Sequence, residues 1–234
     1  MSLSSALSQR YPAYTGFAAV LSGAGLPIYI YAPKYYADTY GVSLTALGAV
    51  LFGLRLFDVV QDPVLGWVSE RLRDSKAIAV SLGALLLAAS MIALFAVAPL
   101  IDPIWWFGLS IMGLFTAFSF LMINFYAQGI SKVADTENGH VRLAAWRESG
   151  ALLGICLAAA APTLLMGVAA DPFAMFAYGF AAATLVAAIF MWREWAPTST
   201  MSDPTPIREI IADPLARRLL LLALVNATPV AVSS

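Results

Sequence analysis

The chain has 234 residues, 61% of them hydrophobic and 12% charged, with a formal net charge of -1 and a mean hydropathy of +0.81. That is too apolar for a soluble domain of this size, and no basic cluster points to nucleic acid, so the composition predicts an all-α integral membrane protein. The single cysteine, Cys156, sits in an apolar segment; it excludes an internal disulfide and reads as a small packing residue.

Residues 1–10 are polar and lack a basic stretch followed by a short apolar run and a small-residue cleavage site, which predicts no removable signal segment. Runs free of Asp, Glu, Lys, Arg and His cover 11–33, 77–101, 103–131, 149–170 and 172–192. Each can cross about 30 Å of hydrocarbon at roughly 1.5 Å of rise per residue. The run 40–54 is short alone, but continued through three charged residues to Val68 it makes a sixth span. A further helix begins at Leu219 and stops at Ser234, short of a full crossing. The predicted organisation is a six-helix bundle over 1–192, a linker over 193–218 carrying four prolines, and an incomplete helix over 219–234.

Basic residues orient the spans, because Lys and Arg concentrate in short cytoplasmic loops. Ten of the thirteen lie before helix 1, between helices 2 and 3, between helices 4 and 5, or after helix 6. The amino terminus is therefore expected in the cytoplasm, with brief outer connections around 38–43, 98–103 and 167–172. Within helix 5, Gly150 and Gly154 form a GxxxG pattern, which lets two helices approach closely.

Helix 2 carries Arg55, Asp58 and Asp62 inside its apolar run. Ionisable groups at membrane depth cost about 2.5–3.5 kcal/mol each on insertion scales and must face protein or water. At about 100° per residue the three share one helical stripe. One arginine against two carboxylates leaves a surplus negative charge that a monovalent cation or a proton would cancel, which points to a coupling-ion site. The bland alternative is a structural ion pair between Arg55 and one aspartate.

Other charges read more plainly. Glu70, Arg71, Arg73, Asp74 and Lys76 suit a solvated turn, and His140 near Glu137 suits an inner loop. Arg147 and Glu148, after Trp146, mark either an interfacial anchor or a charge entering a cavity. Helix 4 carries two polar stripes on different faces, one with Ser119, Met122 and Tyr126, the other with Asn124 and Gln128. Only one of them can line a given cavity fully, and Asn124 is kept as a candidate solute contact. No zinc ligand set, phosphate-binding loop or nucleophile beside a base appears, so no enzyme is expected and no cofactor beyond a coupling ion.

Arg55-x-x-Asp58-x-x-x-Asp62-Pro63-x-x-Gly66 resembles the helix 2 signature of the glycoside-pentoside-hexuronide cation symporters of the major facilitator superfamily. The resemblance runs from about Tyr14 to the start of helix 7. It implies the amino-terminal six-helix half of a twelve-helix transporter plus the start of helix 7, and a cation site, Na⁺ or H⁺, at Asp58 and Asp62 with the Ser119 hydroxyl. It also implies that Arg147 faces the cavity with Tyr126 as an aromatic solute contact, and it adds Ser22 and Arg55 to the solute side. The family's sugar-gripping acids of helices 1 and 4 fall at Ser22 and Met122, which departs from a galactoside site. The wider family includes sodium-linked lysolipid carriers, so an amphiphilic solute is also compatible.

The function expected is cation-coupled symport of a small organic solute, sugar-like or amphiphilic, by alternating access, with a carboxy-terminal half required. The setting expected is a cell membrane, of the bacterial inner-membrane type. The alternative is a noncatalytic membrane subunit or assembly factor that retains the fold.

Overall fold

The computed structural model describes residues 11–133 and 139–195, together with isolated positions between 213 and 222. Six helices in it are long and apolar enough to cross a membrane. The first, α1, spans Pro12–Tyr40 in three pieces, an α-helix over Pro12–Gly23, a π-helical turn over Pro27–Tyr31 and an α-helix over Ala32–Tyr40. Pro27 has no N–H to continue the regular ladder, and the Ala32 N–H reaches back five residues to the Pro27 carbonyl, closing a wide turn. Helix α1 ends at Gly41, whose φ of 69° is a left-handed conformation that favours glycine. The helix therefore runs past Pro33 through Lys34 and Asp38, which pair at 2.7 Å, and the first outer connection is shorter than expected.

Helix α2 covers Leu44–Arg71, started by the Ser43 hydroxyl accepting from the Ala46 N–H at 3.2 Å. Pro63 lies inside it and leaves the carbonyl one turn earlier, at Val59, without an intrahelical donor. A 3-10 turn over Arg73–Ser75 leads into α3, Lys76–Phe95. Helix α4, Pro103–Lys132, and α6, Pro172–Met191, open alike: Asp102 and Asp171 cap them, each followed by a proline at the first helical position.

Two boundaries differ from the charge-free runs. Helix α3 stops at Phe95 rather than near Ile101, because the chain must be extended before Pro99. Helix α5 spans Gly139–Leu165, starting ten residues before the charge-free run, so His140 and Arg142, expected in an inner connection, lie on the same helix as Arg147 and Glu148.

Helix α1 packs most extensively on α5, α3 on α4 and α6, and α2 on α4. The α1–α5 seam is a backbone-to-backbone contact. A Cβ at Gly150 would run into the Thr15 carbonyl and one at Gly154 into the Ala19 carbonyl, while one at Gly23 would sit 3.2 Å from the Gly154 carbonyl oxygen. Two hydrogen bonds lace the same seam, Thr15 Oγ1 to the Trp146 carbonyl at 3.0 Å and the Tyr31 hydroxyl to the Ala159 carbonyl at 2.7 Å. Inside the bundle, rings from four helices meet: Tyr36 packs edge-to-face on Phe107, Phe95 stacks on Phe173, and Tyr35 touches Tyr36, Phe95 and Phe173. Helices α2 and α5 bury the smallest shares of their apolar windows, 17% and 22% against 56% for α3, so their free faces meet lipid or another protein body.

Packing continues past Met191 through a 3-10 turn, Trp192–Glu194, to buried Trp195. Residues from Thr198 onward form a separate unit. Among its described positions, Asp213 accepts from the Leu215 N–H at 2.9 Å and starts a helical turn. The rest of the expected linker and seventh helix lies outside the described residues.

Candidate functional site

The charged stripe of α2 opens into a cavity of about 480 Å³ lined by α1, α2 and α4. Arg55, Asp58 and Asp62 share it with Ser119 and Met122 of α4 and with Gly25, Ile28 and Tyr29 from the irregular part of α1. Asp58 is half-buried, while Arg55 and Asp62 are exposed within this bundle. Among the described residues no N···O contact within 4.0 Å joins Arg55 to either aspartate. The guanidinium carbon lies instead 4.8 Å from the centre of the Tyr29 ring and 5.8 Å from that of Phe115. Asp58 Oδ1 is buried and has no hydrogen-bond partner. The structural ion pair, the bland alternative for this stripe, is therefore absent from the structure.

A second, smaller recess of about 70 Å³ lies between α1, α4 and α5, lined by Ser22, Met122, Tyr126, Arg147 and Glu148 among others. Arg147 places its guanidinium carbon 4.2 Å from the Tyr126 ring centre and also reaches Glu148 Oε1 at 3.2 Å. The Arg147 side chain is 23% exposed and lines this recess, whereas that of Glu148 beside it is 61% exposed. Met122 lines both recesses.

Of the expected site residues, Arg55, Asp58, Asp62 and Ser119 come together in the larger cavity, and Ser22, Tyr126 and Arg147 in the smaller one. Asn124 joins neither. It is 1% exposed, donates to the Phe120 carbonyl at 2.8 Å and accepts from the Ser69 hydroxyl at 2.8 Å, so it ties α4 to α2. Gln128, on that stripe, accepts from Lys76 Nζ at 3.1 Å and donates to the Glu194 carbonyl at 2.8 Å. Tyr29 and Phe115 line the larger cavity without having been singled out by sequence. Gly25 and Pro27 mark an irregular turn in α1, but that signal does not say which ring the turn aims.

Among the described residues no group of three or more His, Cys, Asp or Glu is placed to hold a metal ion. The larger cavity offers two carboxylates and a hydroxyl, hard oxygen donors of the kind a monovalent cation or a proton would use.

The family model for MFS/sugar transport proteins matches residues 13–234. The chain belongs to this sugar-transport family of the major facilitator superfamily. A raffinose permease from Escherichia coli is 30% identical over 158 residues, covering 66% of this chain and 35% of the permease. The chain thus spans about a third of the length of that curated relative. No solved structure matches. The six-helix all-α bundle agrees with the amino-terminal half of such a transporter, and the family is one of transporters rather than enzymes, as expected from the absence of a nucleophile or base constellation.

Proposed function

We propose that the chain builds the amino-terminal half of a cation-coupled symporter for a sugar or similarly polar solute, which works by alternating access together with a carboxy-terminal half. The observation that carries this reading is the buried, unpartnered Asp58 Oδ1 in a membrane-depth cavity that also holds Asp62 and Ser119. A lone carboxylate oxygen in such a place is costly until something positive reaches it, and a cation that arrives with the solute makes that cost the source of coupling. Na⁺ or H⁺ would be carried as cargo between Asp58 and Asp62, with Ser119 completing the oxygen set.

The solute would lie against Arg147, Tyr126 and Ser22. A guanidinium supplies fixed donors to hydroxyl or carboxylate oxygens, and an aromatic ring offers the flat face on which a sugar ring packs. The name of the matching permease supports a saccharide. The exposed faces of α2 and α5 are where the second half would close the cavity wall, and rocking of the two bundles would open it to each side in turn. The basic-loop end would face the cytoplasm of a bacterial inner membrane.

The test is solute uptake into proteoliposomes holding the intact protein, with an imposed Na⁺ gradient, a proton gradient, or neither. Concentrative uptake of a saccharide under one gradient supports the reading. Uptake that only equilibrates, and is indifferent to both gradients, would reduce the protein to a facilitator, and no uptake at all would favour a noncatalytic membrane subunit.

A further inference from the structure

Arginine and aspartate three residues apart on a helix are neighbours on one face and ordinarily pair. Arg55 and Asp58 have that spacing, share a cavity, and stay more than 4.0 Å apart at their charged atoms, with Asp58 Oδ1 left unpartnered. The arginine is held elsewhere. Both Tyr29 and Phe115 lie within about 6 Å of its guanidinium, the range in which ring faces attract cations. The two rings are 5.8 Å apart and tilted by only 34°, a paired surface contributed by α1 and α4. Tyr29 sits in the π-helical turn Pro27–Tyr31, an irregularity that re-aims side chains and recurs at functional sites.

We propose that Tyr29 and Phe115 form an aromatic clamp that holds Arg55 off the α2 carboxylates, so that the coupling cation and not the arginine neutralises them. The inference rests on the cation reading above and gives it a competitor: a guanidinium released from the rings would swing onto Asp58 and occupy the ion's place. The clamp sets how strongly the site demands a cation. Tyr29 and Phe115 are positioning residues, since they act through Arg55 and need not touch the ion.

The experiment uses the intact protein in detergent micelles, with thermal unfolding followed against NaCl at constant ionic strength and, separately, against pH. Tyr29→Leu and Phe115→Leu should each raise the half-saturating Na⁺ or H⁺ concentration by about threefold to tenfold, while solute affinity at saturating ion stays near wild type. Tyr29→Phe keeps the ring and should behave as wild type, which also controls for misfolding. In an Arg55→Gln background, Tyr29→Leu should have no further effect. The clamp is overturned if Tyr29→Leu leaves ion affinity unchanged, if Tyr29→Phe is as damaging as Tyr29→Leu, or if the loss persists without Arg55. If Asp58→Asn leaves the ion response intact, the cation reading itself falls and the clamp with it; if Asp58→Asn abolishes the response and Tyr29→Leu does not alter it, only the clamp falls.

Discussion

The Arg147 guanidinium carbon stands 4.2 Å from the centre of the Tyr126 ring, joining α5 to α4 across the small recess. The ring steadies the cation while Nε and one terminal nitrogen donate to Glu148 Oε1, which leaves the other terminal nitrogen for a solute oxygen. Arg147→Gln should therefore weaken solute binding about tenfold or more, with little change in half-saturating ion concentration. Tyr126→Phe should be mild, and Tyr126→Leu should lie between the two. Titration calorimetry with a saccharide panel reads the first quantity and ion-dependent unfolding the second; equal loss of both in Arg147→Gln would remove Arg147 from the solute site.

Asp58→Asn and Asp62→Asn should each abolish gradient-driven uptake while membrane insertion, checked by detergent extraction and size-exclusion profile, stays normal. The amide preserves shape and removes the charge that separates ion-bound from ion-free states. Asp58→Asn should also stabilise the ion-free protein, because it neutralises a buried oxygen that has no partner. Ion-stimulated uptake surviving in both variants would contradict the coupling role.

The α1–α5 seam predicts a sharp contrast among glycines. Gly154→Ala forces a methyl into the Ala19 backbone and Gly150→Ala into that of Thr15, and neither obstacle is a side chain that can rotate away. Each should cost about 1–3 kcal/mol or more, whereas Gly16→Ala and Gly179→Ala, which meet nothing within 4 Å, should cost far less. Thermal unfolding in one detergent ranks them; equal effects across the four would mean the seam is looser than the structure has it.

How much of this was legible before the fold depends on the kind of signal. Asp58 and Asp62 stand out because charge inside an apolar run is rare, and the wheel angle alone puts them on one stripe with Arg55. The GxxxG pattern likewise announces a close approach, though not its partner helix. Counting charge-free runs misplaced α5, since Arg142, Arg147 and Glu148 are good helix formers that interrupt hydropathy without interrupting the backbone. The same count overran α3, where Ala96 to Ile101 is apolar yet Pro99 forbids the helix. Between the two stripes of α4 the sequence offers no preference, because Asn124 and Ser119 are both polar and only tertiary packing decides which one meets a cavity.

Gln128 ties three helices together through Lys76 and the Glu194 carbonyl, beside a 2.9 Å Lys132–Glu194 ion pair. Gln128→Leu removes both hydrogen bonds and leaves the Lys76 ammonium half-buried without that acceptor. The expected loss is about 1–3 kcal/mol of stability, with ion and solute affinities unchanged once folded. A shift in either affinity would connect this end of the bundle to the site.

Orientation is checked in a Cys156→Ser background with single cysteines at Ser75 and Asp102, which flank α3 on opposite ends. An impermeant thiol reagent added to intact cells should label the cysteine at Asp102 and spare the one at Ser75. Labelling of both from outside would refute the arrangement, and the reverse pattern would invert it.

Met122 is the residue common to the linings of both recesses, an unbranched thioether with three rotatable bonds. A shared lining residue with so flexible a side chain is a cheap place for evolution to move a wall. Methionine's codon lies a single base from those of valine and threonine, and either shorter side chain would draw the two recesses toward one cleft. On the proposed function, a lineage carrying this bundle would widen the solutes it accepts in one mutational step, without disturbing the carboxylates of α2 or the arginine of α5.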